Sequence, residues 1–355
     1  MRRLTACHDG AMDKLIIGTE KGGYLLTKER GSWEVEGPSF PGWKVSAFGK
    51  APDGTYLAGL GSNWFGASVH RSSDYRDWQQ VEKGPSYSED SGLKLNQVWM
   101  FHTTAERIYA GVDQAGLFFS DDHGLSWEPV SAINEYPGRA DWQPGFGGLA
   151  AHHILSAGNQ LWVGISAVGV FRSDDGGKSF ERKDRGITSV LDPEGDTEAI
   201  EPGRCVHGLV SDPKDPNRIW RQDHSGVYRS SDGGDTWERI EAGLPARFGF
   251  AIGRNHETGS LFVAPLTADE NRVPVDGHLA VYRSDDDGDT WRMSGSGWPA
   301  GGQFNGVLRN AMAVDSRGGI AVGTTGGSVF SSDDDGESWN QIPISLPRIL
   351  AVEAA

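Results

Sequence analysis

The 355-residue sequence has little cysteine, a shortage of basic residues and no long apolar run, and each shortage excludes a class of protein. Two cysteines, Cys7 and Cys205, are too few for a disulfide framework. Lysine and arginine number 33 against 49 acidic residues, and the resulting net charge of −16 argues against a nucleic-acid partner. No stretch approaches the roughly 20 apolar residues of a membrane-spanning helix, and no apolar segment follows the basic start, so we expect a cytoplasmic protein without a membrane partner.

The sequence is rich in glycine, with 50 residues, and in copies of one short pattern. The pattern is Ser-x-Asp-x-Gly-x-(Ser/Thr)-aromatic, and five good copies begin at Ser120, Ser173, Ser230, Ser284 and Ser332. Two degenerate copies precede these. With them, the aromatic residues that close each copy lie at positions 33, 78, 127, 180, 237, 291 and 339. Units of about 50 residues predict a stacked or radial repeat architecture.

Each unit carries the signals of four short strands. In one unit, apolar runs over 161–165 and 170–173 flank a glycine turn, which predicts two paired strands. The Asp-x-Gly segment supplies the next turn, because aspartate side chains bond nearby backbone amides and glycine accepts positive φ. The closing aromatic begins a third run, and a fourth run opens the next unit. Four strands per unit, repeated radially, predict an all-β, seven-bladed β-propeller.

The two ends of the chain are predicted to meet. The apolar run 15–17 has the position of a second strand in its unit. Another apolar run, over 349–352, follows the last unit and belongs to none of them. We therefore expect the C-terminal strand to complete the first blade and close the ring, which removes open sheet edges. Residues 12–355 would then form a single domain, with residues 1–11 as an N-terminal extension.

The repeated pattern resembles the Asp-box, or BNR, repeats of sialidase-like propellers over nearly the whole chain. The resemblance implies structural turns, on the face opposite the working face, at Asp122, Asp175, Asp232, Asp286 and Asp334. True sialidases also carry an early Arg-Ile-Pro motif and a tyrosine–glutamate nucleophile pair, which this sequence lacks. The chain is more similar to bacterial cytosolic BNR-repeat proteins often labelled glycosyl hydrolase, so the resemblance implies the fold and not the mechanism.

The loops on the face opposite the repeated turns are long, which is typical of functional loops in a compact domain. Polar residues on the neighbouring inner strands place a site at the mouth of the central channel. His153, His207 and His224 are predicted to share this mouth. They could hold zinc or a similar divalent metal, or one of them could act as a general acid or base. The alternative for each is an ordinary hydrogen-bonded core histidine.

Carboxylates and arginines on the same face supply further candidates. Glu198 and Glu201 overhang the mouth and could be acid/base partners, as paired carboxylates are in glycosidases. Asp269 and Arg272 share a charged loop, and Arg272 and Arg309 could clamp an anionic substrate. The alternatives are a solvated acidic loop and ion pairs between blades.

The remaining substrate-binding candidates are aromatic or amide side chains near the mouth: Trp64, Trp99, Trp142, Gln222 and Asn310. Exposed aromatic rings stack on flat ligands such as sugars, and packing between blades is the alternative. The sequence thus favours a hydrolase or lyase acting on a small polar molecule, either glycosidic (a carbohydrate) or anionic. The alternative is a non-catalytic propeller that binds a protein or ligand on its loop face.

Overall fold

A computed structural model describes residues 12–62, 65–145, 147–189 and 204–355. Within these ranges the chain is built from short β-strands, and helix is confined to α1 (Ser131–Asn134) and to single 3-10 turns at Glu89–Ser91, Arg139–Asp141 and Val275–Gly277. None of the helices in the described ranges is long and apolar enough to span a membrane.

The strands are short because each unit returns on itself at turn residues. In chain order the first strands are β1 (Lys14–Thr19), β2 (Gly22–Glu29), β3 (Ser32–Ser39), β4 (Lys44–Lys50), β5 (Tyr56–Ser62), β6 (Gly66–Ser72), β7 (Gln79–Gln80), β8 (Val98–Thr103), β9 (Ile108–Val112), β10 (Gly116–Ser120), β11 (Glu128–Pro129), β12 (Ala151–Ala157), β13 (Gln160–Ile165), β14 (Gly169–Ser173) and β15 (Glu181–Arg182). The others are β16 (Val206–Asp212), β17 (Asp215–Asp223), β18 (Val227–Ser230), β19 (Glu238–Arg239), β20 (Phe248–Arg254), β21 (Leu261–Leu266), β22 (Tyr282–Ser284), β23 (Arg292–Met293), β24 (Val307–Val314), β25 (Ile320–Thr324), β26 (Val329–Ser332), β27 (Asn340–Ile342) and β28 (Ile349–Ala354).

The described strands form antiparallel four-stranded sheets of consecutive strands, from β4–β7 to β20–β23. A larger sheet has the order β27-β26-β25-β24-β28-β1-β2-β3, and one parallel pair, Asn310 with Ala351, joins its two halves. In this sheet β28 runs antiparallel to β1, with Val352 opposite Ile17. The predicted pairing of the C-terminal strand with the first N-terminal strand is therefore confirmed.

The sheets close into a ring through their innermost strands. These strands contact one another in cyclic order, β28, β4, β8, β12, β16, β20, β24 and again β28. Small residues let neighbouring sheets approach closely: a Cβ atom placed on Gly164 of β13 would lie 2.8 Å from Val206 Cγ1 of β16. Apolar side chains such as Trp162 and Leu209 fill the rest of this space.

The repeated serine–aspartate pattern builds the turn between the third and fourth strands of its sheets. In one copy the Ser173 hydroxyl donates to Asp175 Oδ1 at 2.7 Å, and Gly177 N donates back to the Ser173 oxygen at 2.8 Å. The Ser179 hydroxyl donates to Asp175 Oδ2 at 2.6 Å. These bonds, with that of Ser179 the strongest, hold the pKa of Asp175 below its usual value. The same bonds recur in the other four good copies, so these aspartates stabilise turns.

Two of the closing aromatic residues are hydrogen-bonded to the neighbouring sheet. Trp237 Nε1 donates to the Lys183 carbonyl at 2.8 Å, and Trp291 Nε1 donates to the Ile240 carbonyl at 2.8 Å. Each acceptor belongs to the preceding sheet, and each tryptophan is 5% exposed. One repeated sequence therefore makes both a turn and a contact between sheets.

Candidate functional site

A cavity of about 700 Å³ opens on the face opposite the repeated turns. Its walls come from the ends of inner strands, from the loops between second and third strands, and from an outer strand and the loops that lead to the next sheet. They include five residues predicted from the sequence as site residues: His207, His224, Asp269, Arg272 and Arg309. The ring brings these together from positions 207 to 309, and we refer to this site as the loop-face cavity.

The imidazoles of His207 and His224 lie side by side in its wall. Their ring centroids are 5.8 Å apart, and both rings meet Phe248 edge-on. His207 Nδ1 donates to the Gly249 carbonyl at 2.6 Å, which leaves Nε2 as the acceptor nitrogen of the neutral ring. Burial, reinforced by the charge of Arg309, lowers the pKa of His207 well below its usual value. The ring is therefore neutral at pH 7.

Two arginine side chains meet on one phenyl ring of this cavity. The guanidinium carbons of Arg309 and Arg272 lie 4.6 and 5.3 Å from the Phe250 ring centroid. Arg272 is paired, since its Nη2 is 2.6 Å from Asp269 Oδ1. Arg309 is 8% exposed, its Nε has no hydrogen-bond partner, and no carboxylate in the described ranges pairs with it. Burial lowers the pKa of Arg309, Cys205 opposes that shift, the charge of Arg272 adds to it, and the charge of Asp269 opposes it.

A third arginine, behind His224, is paired with two carboxylates. Arg221 is 0% exposed, its Nη1 lies 2.5 Å from Asp184 Oδ1, and its Nη2 binds Asp223 Oδ2. Asp223 Oδ1 in turn accepts from the backbone amide of Ser225 at 3.1 Å. This buried network fixes the turn that presents His224 to the cavity.

The cavity wall also contains residues that the sequence analysis did not single out: Thr188, Cys205, Ser225, Arg239 and Arg247. Cys205 and Ser225 lie within two positions of predicted histidines, so their place in the chain was a usable signal. Arg239 and Arg247 come from an outer strand and the loop after it, where no pattern marks them. Both approach Glu241, at 3.9 and 3.6 Å, so their charge is partly balanced.

His153 lies beside the loop-face cavity, on β12, and is not one of its lining residues. Burial, and then the charge of Arg309, lower the pKa of His153 to about 4, and the backbone of His207, close to its ring, opposes the shift only in part. Trp99 meets the His152 ring edge-on at 4.6 Å, and Asn310 Nδ2 donates to the Trp99 carbonyl. Trp99 and Asn310 thus pack and hydrogen-bond between inner strands.

The other candidates are placed in two different ways. Gln222 is 1% exposed, and its amide nitrogen donates to the Asp223 and Arg247 carbonyls, so it holds loops in place. Trp142 is 4% exposed and lines a neighbouring cavity of about 570 Å³, the Trp142 cavity. Trp64, Glu198, Glu201 and the predicted extension 1–11 lie outside the described residues.

A metal site would need ligands that the described residues do not bring together. Within the described ranges no three His, Cys, Asp or Glu side chains are grouped as a metal ion requires. His207 and His224 offer one nitrogen each, Asp269 is held by Arg272, and catalytic zinc uses three protein ligands. A zinc or similar ion at His153, His207 and His224 stays a prediction from sequence.

No protein-family model and no curated protein matches the chain. Solved structures do match: YCF48 bound to D1 peptide has 16% identity, covering 83% of this chain and 82% of that chain, with a TM-score of 0.52. An ancestral GH74 enzyme has 18% identity and a TM-score of 0.53, covering 84% of this chain and 38% of that chain. The WD40 β-propeller domain of Doa1 has 11% identity and a TM-score of 0.57, covering 88% of this chain and 86% of that chain. Identities this low show the fold alone, and with the ring of four-stranded sheets they make this chain a β-propeller protein.

Proposed function

We propose that this propeller binds a small organic anion in the loop-face cavity. The observation that carries the proposal is Arg309, a buried cation with no carboxylate partner in the described part of the chain. Burying a charge without a partner is costly, so proteins pair such charges or use them to bind. A ligand with a negative charge would complete the site.

The charges around Arg309 favour an anion over a neutral or cationic ligand. Arg272 shares the Phe250 ring with Arg309, and Asp269, the one carboxylate among the described lining residues, binds Arg272. His207 is neutral at pH 7 and offsets none of this charge. Guanidinium groups bind carboxylates through two parallel hydrogen bonds, which makes carboxylic acids the first class to test.

The proposal includes an architecture finer than a propeller in general. The cyclic order of seven inner strands supports seven blades in one domain over residues 12–355. The hydrogen bonds inside five copies of the serine–aspartate pattern support Asp-box turns, as in the BNR repeats that the sequence resembles. In such a ring the loop-face cavity would lie at the mouth of the central channel.

Calorimetric titration of the whole protein tests anion binding. The probes are hexanoate, benzoate and inorganic phosphate, and the variants are Arg309→Met and, as a control, Arg317→Met, which removes an arginine 42% exposed. We expect wild type and control to bind a carboxylate and Arg309→Met to bind it at least about tenfold more weakly, because charge-assisted bonds contribute about 1.5–3 kcal/mol. Wild type that binds none of these probes, or equal affinity in Arg309→Met, would refute the proposal.

Catalysis on the bound anion, as a hydrolase or lyase, is a second candidate function. It is favoured by the neutral His207, whose Nε2 can accept a proton, with His224 beside it as a second proton carrier. A two-carboxylate glycosidase mechanism has less support, because the one carboxylate among the described lining residues, Asp269, is bound to Arg272.

An activity screen separates catalysis from binding alone. Any reaction found with wild type should slow by about 100-fold or more in His207→Ala or His224→Ala, since general acid–base groups contribute about that much. Equal rates in both variants on every hit would remove these histidines from the mechanism. Anion binding without any turnover would favour the non-catalytic propeller.

A further inference from the structure

The wall of the loop-face cavity is positively charged, although the whole protein has a net charge of −16. Its described lining residues include four arginines, Arg239, Arg247, Arg272 and Arg309, and one carboxylate, Asp269. A single carboxylate bound at Arg309 would neutralise only part of this positive charge.

The four arginines form two groups. Arg309 lies on the inner strand β24, and Arg272 meets it on the Phe250 ring. Arg239 lies on β19, the fourth strand of its sheet, three strand spacings or about 14 Å outside the innermost strand. Arg247 comes from the loop that leads from β19 back to the inner strand β20. We refer to the two groups as the inner end and the outer end of the cavity.

Each end has one carboxylate for two guanidinium groups. At the inner end, Asp269 binds one arginine and leaves the other without a carboxylate in the described ranges. At the outer end a single oxygen, Glu241 Oε1, lies 3.9 Å from Arg239 Nη1 and 3.6 Å from Arg247 Nη2. Among the described residues, each end therefore has one positive charge in excess.

Both ends present guanidinium nitrogens that a ligand can reach. Of the Arg309 nitrogens, Nε alone is both inaccessible and unpartnered. The terminal nitrogens of Arg309 lie beside the lining residue Gly147, where a Cβ atom would be 3.1 Å from Nη2. At the outer end, the Arg247 side chain is 59% exposed. Terminal guanidinium nitrogens are the atoms that bind carboxylates through paired hydrogen bonds.

The two ends are close enough for one small molecule. Arg247 precedes Phe250 by three residues, so their Cα atoms are at most about 11 Å apart. The cavity volume of about 700 Å³ lies in the usual range of small-molecule sites, about 300–1,000 Å³. The rest of the described lining contains no other carboxylate, lysine or arginine, and includes the apolar Pro144 and Ala167. An uncharged carbon chain therefore fits between the ends.

We propose that the ligand of the loop-face cavity is a short dicarboxylic acid. One carboxylate binds Arg309 and Arg272 at the inner end, and the other binds Arg247 at the outer end. This assignment rests on the proposed anion binding and adds to it a second anionic group. Such a dianion neutralises the excess positive charge at both ends.

Acids of equal chain length with one or two carboxylates test the outer end. Glutarate, adipate and suberate are titrated calorimetrically into the whole protein, with pentanoate, hexanoate and octanoate as their partners of equal length. With wild type, the diacid of fitting length should bind about tenfold more tightly than its monocarboxylate, the gain from one more charge-assisted bond. The preference should differ among the three lengths, because only a chain that spans both ends gains the second contact.

Two arginine variants locate the second contact. Arg247→Met should lower the affinity for the diacid to that for the monocarboxylate and leave the affinity for the monocarboxylate unchanged. Arg76→Met is the matched control, because the Arg76 side chain is also 59% exposed and also pairs with a glutamate, Glu36. It should keep the wild-type preference for the diacid. An equal loss of preference in both variants would mean that overall charge causes it, and would overturn the assignment.

The outcomes distinguish this inference from the proposed function. If wild type binds monocarboxylates and no diacid binds more tightly, or if the preference is the same at all three lengths, the anion site stands and the dicarboxylate assignment is overturned. If neither class of acid binds, the proposed function itself fails. The comparison of diacid with monocarboxylate uses wild type alone, so it decides the question even if Arg247→Met does not fold.

Discussion

Two buried arginines in this propeller, Arg221 and Arg309, have opposite surroundings. Arg221 is 0% exposed and binds two aspartates, Asp184 and Asp223. Arg309 is 8% exposed and faces a cavity, with a second arginine on the same phenyl ring and no carboxylate partner in the described ranges. Charge pairing, and not burial, separates an arginine that holds the fold from one that is available to a ligand.

The largest expected effect comes from removing each arginine in turn. Arg221→Met should lower the free energy of unfolding by about 3–5 kcal/mol, because it leaves two buried carboxylates without their shared partner. Arg309→Met should lower the free energy of unfolding by no more than about 1 kcal/mol, or raise it, because it removes a buried charge that no carboxylate in the described ranges pairs with. Urea denaturation of the two variants measures both values. Equal losses would mean that Arg309 is also a structural arginine and would break the comparison.

The second largest effect is expected from a substitution that crowds Asp184, one of the carboxylates bound to Arg221. Gly169 has φ +124°, and a Cβ atom there would lie 1.7 Å from Asp184 Oδ2. Gly169→Ala should therefore cost about 3 kcal/mol by displacing that carboxylate and straining the backbone. Gly176→Ala is the matched control: φ is +77° but nothing lies within 4 Å, so about 1 kcal/mol is expected. Similar values for the two variants in urea denaturation would show that crowding of Asp184 is unimportant.

The strands and turns could be predicted from the sequence because their signals are local. Each serine–aspartate copy bonds within itself, as Ser173, Asp175 and Ser179 do, so the pattern carries the whole interaction. The pairing of the C-terminal run 349–352 with the first strand was predictable because the first unit lacked one of its four strands. Residues on different sheets could be predicted to line one cavity, because a ring of sheets brings strand ends that are distant in the sequence to one face.

What each inner-strand side chain contacts could not be predicted, because the inner strands contain β-bulges. The pairing register of β16 shifts between Val206 and Gly208, at His207, and that of β24 shifts between Val307 and Met312, around Arg309 and Asn310. A bulge changes which residue of the partner strand a side chain lies opposite, so cross-strand contacts cannot be read from the alternation alone. Burial still alternates along β24, and the adjacent Arg309 and Asn310 lie on opposite faces: Asn310 bonds the Trp99 backbone whereas Arg309 reaches the cavity.

The sequence of one strand shows only part of the charge pairing. Asp223 lies two positions after Arg221 in β17, so this partner was visible in the sequence. The other partner, Asp184, reaches Arg221 from the loop after β15, in the preceding sheet. That second pair depends on the packing of neighbouring sheets.

A third and smaller effect appears in the pH dependence of stability. Burial raises the pKa of Asp223 in spite of Arg221, whereas the charges of Arg221 and Arg182 outweigh burial and lower the pKa of Asp184. Without Arg221 the pKa values of both Asp184 and Asp223 rise, and a carboxyl whose pKa is higher in the folded than in the unfolded state takes up a proton on folding. Arg221→Met should therefore gain stability as the pH falls from 7 to 5.

Wild type should respond less in that range, because only one of its two carboxyls, Asp223, has a raised pKa. The contribution of Asp184 is fully present above the unfolded value of 3.8 and is lost only as the pH falls through its lower folded pKa. The stability gap between wild type and Arg221→Met should thus narrow by about 1 kcal/mol between pH 7 and pH 5, roughly one pKa unit of linkage. Urea denaturation at the two pH values measures the gap, and a constant or wider gap would contradict a network built on buried carboxylates.

The smallest effect is expected from a substitution that leaves a paired arginine, Arg272, without its carboxylate. Asp269→Asn keeps the shape of the side chain but removes the charge that neutralises Arg272, so the inner end of the loop-face cavity would present two uncompensated guanidinium groups. Affinity for benzoate should then rise about threefold, since a partly exposed ion pair is worth less than about 1 kcal/mol. Asp276→Asn, an exposed aspartate in the next loop segment, should leave the affinity unchanged. A fall in affinity would show that Asp269 acts mainly by positioning Arg272, and carboxylate pairing would then not distinguish a binding arginine from a structural one.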